Sequence, residues 1–232
     1  MSHVEPPRPS EEALGDSWRK VEERRGTTRK DLLGLARVTA FHHTDVYGNE
    51  DLRREVKEKT LGRVDRELMV FFVNRTRVVP GFENLLGSVS RRQLTPAVRT
   101  LARNKLEEEL GKRGIRGVRI NGSHDVRGES GRKVELQRLE ATYDLVDTVV
   151  DVDGGRTVEF EGGEVDVNGW LGASIRSGEV LVVGGIYPAD DLERSKHVQL
   201  TDAVDVDIDI DLDSWPRPYR HEIFDLAESV AD

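Results

Sequence analysis

The run Val180-Leu-Val-Val-Gly-Gly-Ile186 is the most apolar short stretch in the chain, and it limits what the chain can fold into. It is too short for an ordinary helix. Its β-branched residues instead favour a strand. Just upstream, Val165, Val167, Leu171, Ala173 and Ile175 fall at every second position or a multiple of it, so an extended chain would hold them on one face. Arg176-Ser-Gly-Glu179 lies between the two runs and reads as a turn. Residues 166–188 are therefore expected to form a β-hairpin at the centre of an antiparallel sheet. Gly162-Gly163 and Gly184-Gly185 lack the strand-to-helix context of a phosphate loop. They read as turn or bulge positions, or as places where another backbone comes close.

Further strands are expected at about 35–47, over the unalternating run Glu67–Val73, near Val118 and Ile120, over 134–143, at 146–152 and over 158–161. Val204 to Asp213 alternates aliphatic and aspartate residues, which predicts a strand with one wholly carboxylate face. Helices are expected in four places. Ser10 caps the first, whose Leu14, Trp18 and Val21 recur at helical spacing until Gly26. Asn49 caps a short polar helix over 50–61. Thr95-Pro96 opens a third, with Val98, Leu101, Ala102, Leu106 and Leu110 as its stripe. Tyr219, Ile223, Leu226, Ala227 and Val230 mark the last. The class this predicts is α+β, an antiparallel β-sheet flanked by N-terminal, central and C-terminal helices. The proline-rich residues 1–9 are expected to be disordered, and 10–232 to form a single α+β domain.

Charge and cysteine usage narrow the environment. The 232 residues include no cysteine, which excludes disulfides, thiolate metal sites and cysteine nucleophiles. No stretch approaches the roughly 18 apolar residues that a membrane helix needs. The net charge is −9, with 27 arginines against 8 lysines, and 21 aspartates plus 23 glutamates. Acid excess with scarce lysine suits a salt-rich cytoplasm, where dense carboxylates keep a protein hydrated. The expected location is cytoplasmic, with the cell surface as the alternative if a leader has been removed. Residues 1–140 carry 29 basic and 22 acidic side chains, a net of +7; residues 141–232 carry 6 and 22, a net of −16. Either the first part offers a basic surface to nucleic acid or the two parts neutralise one another in space.

Gly169-Trp-Leu, the run ending Gly-Gly-Ile-Tyr-Pro188, the aspartate-alternating segment and Pro218-Tyr-Arg-His-Glu-Ile-Phe-Asp-Leu226 together resemble a haloarchaeal family of uncharacterised proteins. The similarity runs over about 30–230, and Gly-Gly-x-Tyr-Pro is its specific part. Members of that family often look like exported lipoproteins, a pattern this chain departs from in having no leader and no cysteine. The order of elements is also similar to a PsbP-like α/β/α sandwich, so the resemblance implies that architecture. It implies no catalytic residues.

Candidate chemistry is sparse. Asp207, Asp209 and Asp211 could hold hard cations through oxygen, but same-face strand neighbours lie about 7 Å apart. The pattern also lacks the glycine and turn of a calcium loop. The ladder therefore reads as a solvated strand face, with weakly bound monovalent or divalent cations as the alternative and no cofactor. In His42-His43-Thr-Asp45, the two histidines point to opposite faces, whereas His43 and Asp45 share one. A metal or acid–base site there would need a third ligand, with His124 or Asp125 the candidates. Trp170 points away from Leu171, either packing under a helix or marking a pocket.

Three functions are compatible with these residues. The first is a salt-adapted, non-catalytic binding or structural domain with a protein partner or a second copy of itself. The second is a small-ligand binder or enzyme with a site between sheet and helices, lined by His43, Asp45, His124, Trp170 and Tyr187. The third is a nucleic-acid partner that uses the arginine-rich first 140 residues. Acids interleave with those arginines, as at Glu107-Glu-Glu109, and aromatics are only 6%, which argues against the third. The chain contains no Gly-x-Ser-x-Gly, Walker or zinc motif. Ser123-His124-Asp125 are neighbours and cannot form a triad.

Overall fold

A computed structural model describes residues 4–32, 36–59, 62, 65–81, 91–128, 131, 133–144, 148–152, 156–160, 164–176, 179–189 and 217–231. Its strands are β1 (Trp18–Leu32), β2 (Ala36–Asn49), β3 (Val70–Val79), β4 (Ile115–Arg127), β5 (Lys133–Asp144), β6 (Thr148–Val152), β7 (Arg156–Phe160), β8 (Glu164–Arg176) and β9 (Glu179–Pro188). The helices are α1 (Glu11–Leu14), α2 (Glu50–Lys59), α3 (Arg91–Gly111) and α4 (Arg217–Ser229). Seven strands form one antiparallel sheet in the order β1-β2-β3-β9-β8-β5-β4; β6 and β7 pair separately. The expected hairpin is present as β8–β9, with Arg176 opposite Glu179. It fills the gap between two other strands, since β9 pairs with β3 and β8 with β5.

Register shows which side chains share a face. Trp170 lies opposite Gly185, Gly185 opposite Phe71, and Phe71 opposite Tyr47. By alternation this first face also carries His43, Asp45, Val73, Val183 and Tyr187. The C-terminal helix α4 packs on it, with Ile223 fully buried and aimed at Gly185. Phe224 of the same helix stacks on His124 of β4. The second face carries Val78, Ala173 and Val180, which cluster with Ala102 of α3. The Gly184-Gly185 pair has a physical reason on each side. A Cβ at Gly184 would stand 2.5 Å from the Trp170 carbonyl, and one at Gly185 2.8 Å from that of Val70 and 2.5 Å from Ile223 Cδ1. These glycines admit close approach within a regular strand.

The expected α/β/α sandwich is corrected by this sheet. Strand dominates the fold, and the helices are too few to make a layer on either side of it. The sheet is also far from flat. The two edges of a flat seven-stranded sheet would be about 29 Å apart. Yet Arg113, two residues before edge strand β4, pairs with Glu22 of the opposite edge strand β1 at 2.6 Å. Glu109 reaches Arg24 of β1 at the same distance. The sheet therefore curls, and α3 lies within the curl. Twist and coil of this kind are the ordinary outcome for long antiparallel strands.

The N-terminal helix is also shorter than its periodicity suggests. Only Glu11–Leu14 is helical; Gly15, at φ 50°, ends it, and β1 follows with fifteen residues. Fourteen register pairs with β2 outweigh a helical spacing of three apolar residues. Of those three, Val21 is 40% exposed, so the helical stripe does not correspond to a buried one. Residues 4–9, part of the segment expected to be disordered, lie against the fold with Val4, Pro6 and Pro9 buried. The Asn49 cap is as expected: its Oδ1 accepts from the Leu52 amide at 2.9 Å. The aspartate-alternating segment, Asp207, Asp209 and Asp211 included, lies outside the described residues. Among the described residues, no helix is long and apolar enough to cross a membrane.

Candidate functional site

Among the described residues, the strongest convergence of titratable groups lies where β1 pairs with β2. His43 and Asp45 are 4% and 3% exposed, the most buried charged-type side chains among the described residues. They share a face, as their spacing requires. Register adds a third member, because Glu23 sits opposite Asp45 and Arg25 opposite His43. A fourth arrives through a bulge. Between Lys20 and Glu22 the pairing shifts by one residue, so Lys20 opposes Tyr47 while Glu22 opposes Val46. Without the bulge, Lys20 and Glu23 would point to opposite faces; with it they point to the same one.

The distances define a compact group. His43 Nε2 lies 3.2 Å from Asp45 Oδ1 and 3.4 Å from Glu23 Oε1. Lys20 Nζ lies 2.9 Å from Asp45 Oδ1 and also contacts Glu23. Arg25 pairs with Glu23 at 2.7 Å. On the other side of the imidazole, Nδ1 lies 2.9 Å from the Val4 carbonyl oxygen. A carbonyl only accepts, so Nδ1 carries a proton and donates it. Nε2 is therefore the nitrogen that faces the two carboxylates, and a proton or a cation must lie between them to prevent repulsion. The charges act on one another accordingly. Burial works to lower the Lys20 pKa, but its bonds to Glu23 and Asp45 outweigh this and the net shift is upward. The Lys20 bond, chiefly, draws Glu23 below its ordinary value. Beside the group, an open depression of about 310 Å³ is bordered by Val4, Arg25, His42 and His43.

The other expected ligand residues gather elsewhere. Trp170 Nε1 donates to the Tyr187 hydroxyl at 3.3 Å. The Trp170 ring meets Phe224 edge-on at 4.9 Å, and His124 stacks on Phe224 at 4.7 Å. Arg220 lies over both Trp170 and Phe224, 5.4 and 5.1 Å from their centroids. These contacts fill the space between α4 and the sheet, so the rings pack on one another. Trp170 on β8 lies three strands from β2, and its register row reaches Tyr47 rather than His43 or Asp45, so lateral spacing and offset along the strands together put it roughly 16–20 Å from those two residues. The five residues expected to line one pocket thus form two groups on one face. His124 and Asp125 do not supply the third ligand; Asp125 pairs with Lys133 at 2.6 Å. Glu23 stands in that third position instead, placed there by strand register.

Many of the described arginines are drawn into structural pairs. Arg75 and Arg77 contact Glu179, Arg116 contacts Asp144 and Glu164, and Arg53 contacts Asp65. Several of these pairs join the basic first part of the chain to described residues of the acidic second part.

No curated protein and no solved structure matches the chain. A family model does match, over residues 6–231, and it carries neither a source organism nor a PsbP-like architecture. The match spans nearly all of the curled sheet and its helices, and the chain belongs to the family described as Domain of unknown function (DUF6517).

Proposed function

We propose that the chain is a non-catalytic, salt-adapted binding domain whose binding centre is the Lys20, Glu23, His43 and Asp45 group. One observation carries this reading: a buried imidazole, pinned by its Nδ1 proton to a backbone carbonyl, aims its other nitrogen at two carboxylates. Buried charges are costly, and a fold keeps them only when they are paired with each other or with something bound. This group is both internally paired and open at its Glu23 rim, where the side chain is 35% exposed. The reading favours a small cationic ligand over a nucleic acid, because the exposed rim of the centre is the Glu23 carboxylate and many of the described arginines pair with acids.

Thermal melting of the full chain against a panel of small ions tests this reading. The panel holds monovalent and divalent cations, phosphate and simple carboxylates, each also applied to Glu23→Gln. At least one cation is expected to raise the Tm of the parent protein and to lose that effect in the variant. The same response to every member in both proteins would remove the proposal.

A further inference from the structure

We infer that Glu23, His43 and Asp45 form a site for one divalent transition-metal ion in tetrahedral coordination, with the Lys20 ammonium as the cation that the metal displaces. This rests on the binding centre proposed above and names its occupant.

Geometry is the first argument. Zinc binds imidazole nitrogen and carboxylate oxygen at about 2.0–2.2 Å, and the edge of a tetrahedron is about 1.63 times the bond, or roughly 3.3–3.6 Å. The two edges from Nε2 are 3.2 Å to Asp45 Oδ1 and 3.4 Å to Glu23 Oε1. One ligand atom from each of the three residues lies within 4.8 Å of the others. The third edge, between the carboxylate oxygens, is at most 4.8 Å, and the part-exposed Glu23 side chain can move to close it around a metal.

Support around the ligands is the second argument. Metal-bound histidines ordinarily donate their other ring N–H to a carbonyl or carboxylate, which fixes tautomer and orientation. The Val4 carbonyl does this for Nδ1. The imidazole is therefore already presented with the correct nitrogen forward, and two strands rather than a loop hold the ligands. Two carboxylates and one imidazole, with no thiolate in the chain, suit zinc and its first-row neighbours.

Charge is the third argument. Arg25 holds Glu23 Oε1 at 2.7 Å and would have to yield that oxygen, while the Lys20 ammonium bridges Asp45 Oδ1 and Glu23 Oε2. It sits near where a metal would sit and does a weaker version of the same work. Lys20 is 36% exposed, so its long stem can swing outward when a divalent ion takes over the carboxylates. Removing the ammonium while keeping the stem should therefore strengthen metal binding, an effect that a purely structural ion cluster would not produce.

The experiment uses the full chain stripped of metal. Zinc chloride is titrated by calorimetry and cobalt(II) by visible absorption, with magnesium chloride as the control. The expected result is one zinc ion per chain, the intense visible bands of tetrahedral cobalt, and no heat with magnesium. Glu23→Gln, at the exposed rim, is expected to weaken zinc binding at least tenfold, and Lys20→Met to tighten it several-fold. Asp45→Asn, checked for folding by circular dichroism, should behave like Glu23→Gln. Absent zinc binding, weak octahedral cobalt bands, or an affinity indifferent to Glu23→Gln and Lys20→Met would each overturn the assignment. If zinc fails while another cation of the panel stabilises the protein through Glu23, the binding centre stands and only its metal identity falls. If neither binds, both fall.

Discussion

At the scale of single residues, the acids of this fold divide by what surrounds them. Glu222 on α4 accepts from Trp18 Nε1 at 2.9 Å and from Asn49 Nδ2 at 3.1 Å, tying the C-terminal helix to β1 and β2. Burial pushes its carboxyl above the ordinary 4.5, although both bonds pull the other way. An acid whose folded pKa is raised stabilises the fold most below 4.5 and loses that contribution as pH rises through the folded value. Glu222→Gln keeps an acceptor oxygen without the charge. Its Tm relative to the parent is therefore expected to climb as pH rises above about 4.5 and then level off. Glu222→Ala leaves the buried Trp18 and Asn49 donors without this acceptor and should cost about 1–3 kcal/mol, read by urea unfolding. A flat difference between Glu222→Gln and the parent across pH would show that Glu222 is not held as described. The binding centre is half legible at this scale. The two-residue spacing of His43 and Asp45 is enough to put both on one face of a strand. Glu23 and Lys20 are not legible in the same way, because their places depend on β1 being a strand and on a bulge after Lys20.

At the scale of elements, the β8–β9 hairpin is what makes one sheet of two. Strand pairing joins the meander β1-β2-β3 to the pair β4–β5 through it. Its glycines allow this, since Phe72 crosses over Gly184 and Ile223 presses on Gly185 from the other face. Gly185→Ala would drive a methyl group into the Val70 carbonyl and Ile223, neither of which can swing away freely. It is expected to cost about 1–3 kcal/mol and to expose Trp170, measured by urea unfolding with tryptophan fluorescence. Unchanged stability would mean that α4 does not seat on this strand. The hairpin is legible in the sequence because apolar run, alternation and turn agree. The first helix is not, because Leu14, Trp18 and Val21 mimic a helical stripe in a segment that pairs as an edge strand. Nor is the curl, since it depends on Arg113 meeting Glu22 and Glu109 meeting Arg24, contacts 91 and 85 residues apart.

At the scale of the whole molecule, charge is arranged as a mosaic. Among the described residues, strands from the +7 and −16 parts of the chain alternate within one sheet, because β9 and β8 lie between β3 and β5. Net repulsion nonetheless remains at −9, and salt relieves it while also screening the exposed pairs. For a salt-adapted chain the first effect is expected to win, so the Tm should rise steadily into molar KCl. A Tm that stays flat or falls would remove the salt-adapted part of the proposal without touching the binding centre. That centre stands or falls on one imidazole. Long-range proton–nitrogen NMR of ring-labelled protein reports which nitrogen of His43 carries the proton and which meets a ligand. The bonded geometry predicts a protected Nδ1 proton, held by the Val4 carbonyl and unchanged on adding zinc, together with an Nε2 resonance that moves. A proton-free Nδ1, or an Nε2 resonance indifferent to zinc and to every other cation tested, would contradict it.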